Sequence, residues 1–109
     1  MSRKTIYISG PITNEPDYMD HFIQAEIFIY EKMLKNECDY TGIINPARIN
    51  ERFPCDFTHD DYMKICLAEL DLCHGVYMLK GWQHSKGANM EHTYAQNLGL
   101  EIIYEDISN

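Results

Sequence analysis

The chain has 109 residues, the size of one domain spanning residues 1–109, and 45% of them are apolar, so it can bury a core of its own. Its formal net charge is −8 with acidic residues spread along the sequence, which argues against a nucleic acid polymer as partner because a negative surface repels polyphosphate. No secretion signal and no apolar run long enough to span a bilayer is visible, so we expect a cytoplasmic protein with no membrane partner.

The four cysteines, Cys38, Cys55, Cys66 and Cys73, form neither a C-x-x-C pair nor a regular disulfide framework. Cys66 and Cys73 are seven residues apart in a helical pattern and are expected to face the core. Cys55 and His59 are residue types that bind metals, but nothing in the sequence completes a set of four ligands. We therefore expect reduced thiols and neither a metal nor another cofactor.

The first half of the chain predicts two strands with a helix between them. Residues 4–9 are rich in β-branched and aromatic side chains and stop at Gly10-Pro11, which indicates a buried strand followed by a loop. From about residue 18 to 36 the apolar residues recur at helical spacing. The inward face of that helix is predicted to carry Phe22, Ala25, Ile29 and Met33. Residues 41–46 predict a short second strand, and residues 47–57 are expected to be irregular.

A second helix is predicted to begin after Thr58, whose hydroxyl can cap the helix while Asp61 lies three residues further on. Its apolar face continues through Met63, Leu67 and Leu70. The sequence GVYMLK, residues 75–80, follows this helix and has the composition of a buried strand. It is the third predicted strand.

The last quarter of the chain continues the alternation of strands and helices. The loop GWQHSKG leads to a helix predicted from about residue 88 to 98, for which Gly99 provides a C-terminal cap, and residues 100–105 form a fourth strand. This order predicts an α/β fold with three layers: a mainly parallel, twisted sheet of four to five strands with helices on both faces, of Rossmann- or flavodoxin-like type. Ligands of such sheets bind beyond the carboxyl ends of the strands, so the loops after the first and third strands should form one crevice.

The stretch Ser85-Lys86-Gly87-Ala88 lies at this crevice, at the start of the last predicted helix. A helix start presents unpaired amides and a partial positive charge, both of which suit an anion. Ser85 adds a hydroxyl donor, and Gly87 lets a ligand approach the backbone. Taken alone, however, these residues are more typical of a plain loop in which Ser85 caps the helix.

Glu91 lies about one turn into that helix, on the face of Ala88 and Ala95, which are small and leave space in front of it. The positive helix end favours the ionised carboxylate, which a nucleophile needs. On spacing alone, a surface carboxylate that merely complements the helix dipole is slightly favoured. Tyr7 could reach the crevice from the first strand and hold a carboxylate, although most strand tyrosines simply pack.

Three further residues near the crevice have a functional and an ordinary interpretation. A base could stack on Trp82, yet loop aromatics often act only as lids. Asp71 and His74 flank the start of the third strand and are candidates for an acid catalyst, whereas a solvated helix residue and a structural histidine are the alternatives. No G-x-G-x-x-G, P-loop or G-x-S-x-G motif occurs, which excludes the corresponding dinucleotide-binding, NTPase and hydrolase signatures.

The segments IYISGPIT, GVYMLKGW and SKGANMEHTYAQNLG, in this order, resemble the nucleoside 2-deoxyribosyltransferase-like superfamily, and most of all its short phage- and prophage-type branch. The resemblance covers most of the chain, and its last segment is the most specific. In that superfamily a glutamate attacks C1′ of the sugar and a first-strand tyrosine orients it; Glu91 and Tyr7 match these positions. The residue six before the glutamate is an aspartate in nucleoside transferases and a serine in 5′-monophosphate N-glycosidases, so Ser85 favours nucleotides.

The resemblance also implies which residues contact the substrate. These are Ser9, Gly10, Pro11, Ile12, Trp82, Ser85, Gly87 and Ala88. The family's middle strand opens with an aspartate, where this chain has His74, so the acid is open between His74 and Asp71. The implied function is cleavage or transfer at the N-glycosidic bond of a nucleoside or nucleotide, in a homodimer or larger homo-oligomer. An inactive nucleotide-binding protein, favoured by His74, and a structural protein on the same scaffold are the alternatives.

Overall fold

Four β-strands form one parallel sheet in the order β2-β1-β3-β4 in a computed structural model that describes residues 4–50, 52, 54 and 56–105. The strands are β1 (Thr5–Ser9), β2 (Gly42–Ile44), β3 (Gly75–Met78) and β4 (Glu101–Tyr104). The predicted α/β fold is therefore confirmed, and all four predicted strands are present at the predicted places.

The helices are α1 (Tyr18–Leu34), α2 (Pro46–Asn50), α3 (His59–Asp71) and α4 (Lys86–Leu98), and a short 3-10 helix covers Trp82–His84. The sequence did not predict α2, because residues 47–57 were expected to be irregular throughout. Pro46 is the first residue of α2, a position at which proline is favoured since its missing amide hydrogen has no helical acceptor. No helix in the described part of the chain is long and apolar enough to cross a membrane.

The predicted caps of the helices around the site are present, with Thr58 and Ser85 before the starts of α3 and α4 and Gly99 after the end of α4. The Thr58 hydroxyl accepts a hydrogen bond from the Asp61 amide at 3.1 Å, and the Asp61 carboxylate accepts one from the Thr58 amide at 3.0 Å, so α3 begins with a capping box. Helix α4 begins two residues earlier than predicted, because the Ser85 hydroxyl accepts from the Ala88 amide at 3.1 Å. It ends at Gly99, whose φ of 75° is left-handed.

Successive side chains of β1 point to opposite faces of the sheet and so belong to two separate core clusters. Ile6 and Ile8 pack against the buried residues of α1, with Tyr77 and Leu79 of the third strand region on the same side. Tyr7 points to the opposite face. There it packs with residues of α3, β3 and α4, namely Cys66, Leu70, Cys73, Val76, Met78, Ala88 and Ala95. Helices on both faces give the expected three layers.

The strand order places a crevice between the ends of β1 and β3. After β1 the chain turns to α1 on one face and returns as β2, whereas after β3 it turns to α4 on the other face and returns as β4. The two neighbouring strands therefore send their following loops in opposite directions, which is the arrangement that opens a binding crevice in doubly wound sheets.

At the opposite end of the sheet, Tyr40 crosses the start of β3 directly over Gly75. The Tyr40 hydroxyl donates a hydrogen bond to the Glu101 carboxylate in β4, which ties this crossing to the edge strand. A Cβ atom on Gly75 would collide with the Tyr40 hydroxyl and lie 2.7 Å from its Cζ. The residue at position 75 must therefore lack a side chain as long as Tyr40 keeps this position.

Candidate active site

The buried face of α4 carries a carboxylate between two alanines. Ala88, Glu91 and Ala95 are the buried residues of this helix, and Glu91 is only 5% exposed. Because side chains on a helix lean toward its N-terminus, the Glu91 carboxylate lies over the turn that contains Gly87 and Ala88. The small alanine side chains leave room for it against the sheet.

Two hydroxyl groups from β1 hold this carboxylate. The Tyr7 hydroxyl donates to Oε2 of Glu91 at 2.6 Å, and the Ser9 hydroxyl donates to Oε1 at 2.6 Å. Tyr7 and Ser9 are two residues apart in a strand and so point to the same face, which brings both donors to one carboxylate. Both side chains are fully buried, and neither lines the cleft, so Ser9 holds Glu91 at the place where the sequence predicted a substrate contact.

Burial has the largest effect on the pKa values of Glu91 and Tyr7. It raises the pKa of Glu91 from 4.5 to about 7; the hydrogen bonds from Ser9 and Tyr7 act in the opposite direction, and the negative charge of Glu69 on α3 adds to the increase. Burial, followed by the charge of Glu91, raises the pKa of Tyr7 well above 10, so this hydroxyl keeps its proton and stays a donor. At neutral pH the carboxyl group is therefore poised between its two protonation states.

The raised pKa of Glu91 predicts a pH-dependent contribution to stability. Between pH 4.5 and 7 the folded state keeps a proton that the unfolded state has lost, so the free energy of unfolding falls as the pH rises. The loss should reach on the order of 3 kcal/mol by pH 7. Urea unfolding of wild type and Glu91→Gln across this range measures it: the difference between the two curves should change with pH, and parallel curves would contradict the assignment.

The carboxylate lies at the base of an open cleft of about 1180 Å³ at the carboxyl end of the sheet. The loop after β1 contributes Gly10, Pro11 and Ile12 to its wall, and the start of α4 contributes Ser85, Gly87, Ala88 and Glu91. The structure thus brings these seven predicted site residues together around one cavity. Its volume is sufficient for a small molecule of nucleotide size.

The rim at the start of α4 has the chemistry of an anion contact. The Ser85 oxygen accepts the Ala88 amide, which leaves the hydroxyl hydrogen able to donate elsewhere. The amides of Lys86 and Gly87 precede the first helical hydrogen bond, which the Asn89 amide makes to the Ser85 carbonyl. Both the cap and the anion-donor roles proposed for Ser85 are therefore geometrically compatible.

The structure brings three of the predicted site residues neither to the cleft nor into contact with Glu91. His74 lies at the amino end of β3, where its Nδ1 accepts from the Thr5 amide at 3.2 Å. Asp71 is the last residue of α3 and accepts from the Tyr94 hydroxyl at 3.2 Å. Both belong to the end of the sheet opposite Glu91, because α3 runs antiparallel to the strands, and so neither can serve as acid there.

Trp82 is the third of these residues, and it packs away from the cleft. Its ring stacks on His92 with centroids 4.2 Å apart, and the Tyr104 ring lies 6.0 Å from it. The tryptophan anchors the loop after β3 against α4 and β4. A base bound in the cleft would therefore not stack on it, in contrast to the prediction.

The start of α3 forms a cleft wall that the sequence analysis did not identify. Its residues are Phe57, Thr58, His59, Asp60, Tyr62 and Met63. In a parallel α/β fold every helix that follows a strand begins at the carboxyl end of the sheet, so the topology could have indicated this wall. The sequence also did not indicate a role for Asn89. Its side-chain amide donates to the carbonyls of Gln83 and Ser85 at 2.9 and 2.8 Å and so fixes the loop before α4.

No cluster of three or more histidine, cysteine or acidic side chains suited to a metal occurs among the residues that the structure describes. Cys55, considered above as a metal ligand with His59, lies outside the described residues. Cys38, Cys66 and Cys73 are free thiols, and burial raises the pKa of Cys66 and of Cys73 to about 12. The expected inward orientation of Cys66 and Cys73 is confirmed, since both are buried.

Comparison with known proteins places nearly the whole chain in one family. Residues 4–104 match the family described as "Domain of unknown function (DUF4406)", so the chain belongs to this family. The match includes all four strands and every residue of the carboxylate site. A search among curated proteins finds no match to this chain.

Proposed function

We propose that this DUF4406 chain cleaves or transfers at the N-glycosidic bond of a 2′-deoxynucleotide or nucleoside, with Glu91 as the nucleophile. The observation that carries the proposal is the geometry of that carboxylate. It is buried, held by one hydroxyl on each oxygen, and placed at the base of a cleft large enough for a nucleotide. The similarity of the Glu91 segment to the nucleoside 2-deoxyribosyltransferase-like superfamily supports the same role.

The chemistry would follow the two-step course of a retaining glycosidase. In the first step a Glu91 oxygen bonds to C1′ of the sugar, the bond from C1′ to the base nitrogen breaks, and the electron pair leaves with the base. In the second step water or another base attacks C1′ from the other face and releases the carboxylate. Tyr7 and Ser9 would orient the carboxylate in both steps without touching the sugar.

The rim of the cleft supports a phosphorylated substrate. Ser85, the free amides of Lys86 and Gly87, and Lys80 all line this cleft, where a 5′-phosphate would meet donors and positive charge. Local donors outweigh the overall charge of −8 at short range. The proposed setting is the cytoplasm, with which the free thiols of Cys66 and Cys73 agree.

A covalent intermediate provides the direct test of this function. The protein should release free base from at least one member of a panel of deoxynucleosides and their 5′-monophosphates. With a 2′-fluoro analogue, whose electronegative substituent slows the second step, the intact mass should increase by one glycosyl group. Peptide mapping should then place this group on the peptide that contains Glu91.

Three results would contradict the proposal in different ways. Stabilisation by nucleotides without release of base would favour a nucleotide-binding protein on this scaffold, the alternative inferred from the sequence. Neither stabilisation nor release would exclude both functions. An adduct on a residue other than Glu91 would keep the enzyme but remove Glu91 as its nucleophile.

A further inference from the structure

The proposed reaction needs a proton for the departing base, and neither His74 nor Asp71 is close enough to supply it. We propose that His59 is the catalytic residue that donates this proton, an inference that rests on the proposed function. His59 lines the cleft as the first residue of α3. The capping box between Thr58 and Asp61 fixes the backbone from which it projects.

The position of Gly87 relates His59 to the nucleophile. A Cβ atom on Gly87 would lie 3.6 Å from Nε2 of His59 and 3.2 Å from Sδ of Met63, so α3 approaches α4 closely at this glycine. Gly87 and Glu91 are four residues apart on α4 and share one face of the helix, separated by one turn of about 5.4 Å. The Glu91 carboxylate leans back toward that same turn.

A two-step displacement requires the acid to lie close to the nucleophile. Retaining glycosidases place the nucleophile and the acid about 5–5.5 Å apart, so that one group attacks C1′ while the other reaches the leaving group. With Glu91 and His59 both lining the cleft beside this turn of α4, a sugar on the carboxylate would direct its base toward the start of α3.

The surroundings of His59 suit a flat heterocycle. Phe57, two residues earlier, is 40% exposed and lines the same wall, and Met63 lies one turn below His59 on α3. Besides Glu91, the other titratable residues that line the cleft are Glu15, Tyr18, Asp60, Tyr62, Lys80, His84 and Lys86. His59 is the one that approaches Gly87 from the facing helix.

The proton balance of the reaction is complete with these two side chains. As a Glu91 oxygen bonds to C1′ and the bond from C1′ to N9 of a purine breaks, the imidazolium Nε2–H of His59 transfers its proton to N7, and a neutral base leaves. Water then bonds to C1′, the ester oxygen returns to Glu91 as carboxylate, and the neutral imidazole takes the proton of the water.

The decisive experiment compares leaving groups that do and do not need this proton. The substrates are a purine 2′-deoxynucleoside 5′-monophosphate and its N7-methylated form, whose base is already cationic and departs as a neutral molecule. In His59→Gln, kcat/KM for the unmethylated substrate should fall on the order of 10²-fold or more, whereas for the methylated substrate it should change by no more than roughly threefold. His21→Gln, an exposed histidine on α1 outside the cleft, is the matched control and should behave as wild type on both.

Each other outcome overturns the inference and identifies the reason. Equal losses on both substrates in His59→Gln, and also in His59→Asn, would mean that the residue shapes the cleft and transfers no proton. An unchanged rate on the unmethylated substrate would exclude any role of His59. If wild-type protein releases no base from either substrate and forms no glycosyl adduct, the proposed function is refuted, and with it the role of His59 as proton donor.

Discussion

Replacing Glu91 with Gln is expected to lower kcat/KM for base release by on the order of 10³-fold or more, because an amide cannot form the bond to C1′ that the first step of the proposed reaction requires. Gln has almost the same shape, so it can keep the packing between Ala88 and Ala95 and can still accept a hydrogen bond from the β1 hydroxyls. Product chromatography with each nucleotide of the panel measures the loss.

A graded series separates the loss of the nucleophile from the loss of its orientation. Tyr7→Phe and Ser9→Ala each remove one donor to the carboxylate, and a hydrogen bond to a charged group contributes about 1.5–3 kcal/mol. We therefore expect losses of roughly 10- to 100-fold in kcat/KM for each variant, well short of the effect of Glu91→Gln. A Glu91→Gln variant that folds, as judged by its circular dichroism, and keeps activity within tenfold of wild type would refute the proposed role of Glu91 as the nucleophile.

The largest effect on stability is expected from Gly75→Ala at the opposite end of the sheet. The added methyl group would collide with the Tyr40 ring, which is held in place by its hydrogen bond to Glu101. Overpacking of this kind destabilises by about 3 kcal/mol, which corresponds to a fall in Tm of roughly 10 °C or more for a domain of this size. Thermal and urea unfolding measure both quantities.

Gly42→Ala provides a matched control, because Gly42 is also the first residue of a strand. A Cβ atom there would lie 3.4 Å from the Thr5 hydroxyl oxygen, which is an ordinary contact, so the loss should be clearly smaller. A Tyr40→Ala change should in turn relieve part of the Gly75→Ala defect, since the two residues interact directly. Equal losses at positions 42 and 75, or no relief in the double variant, would show that the Tyr40 contact is not the cause.

The architecture could be predicted from the sequence because each level of structure has a local cause. The strands are short apolar runs, the β1 alternation separates Ile6 from Tyr7, and Thr58 and Gly99 mark helix ends by well-understood chemistry. Helix α2 escaped prediction because five residues are too few to establish a period, and Pro46 was interpreted as the end of a strand.

The site was predictable only in part, and the limits follow from the same reasoning. The Glu91 segment and the strand tyrosine indicated a carboxylate held at the crevice, but spacing alone could not exclude a solvated carboxylate. Asp71 and His74 are close in sequence to the third strand, yet they lie at its beginning, whereas the cleft is at its end. The proposed role of His59 depends on the approach of two helices at Gly87, a contact that no pattern within either helix specifies.

The buried carboxyl group of Glu91 also links the stability of this protein to its proposed function. Replacing Glu91, Tyr7 and Ser9 together by apolar side chains would remove the buried carboxyl group without leaving either hydroxyl unpaired, so the fold would be at least as stable without the proposed nucleophile. Laboratory evolution of this chain for heat tolerance alone would therefore tend to lose these three polar side chains, whereas screens that also demand the proposed turnover would retain them.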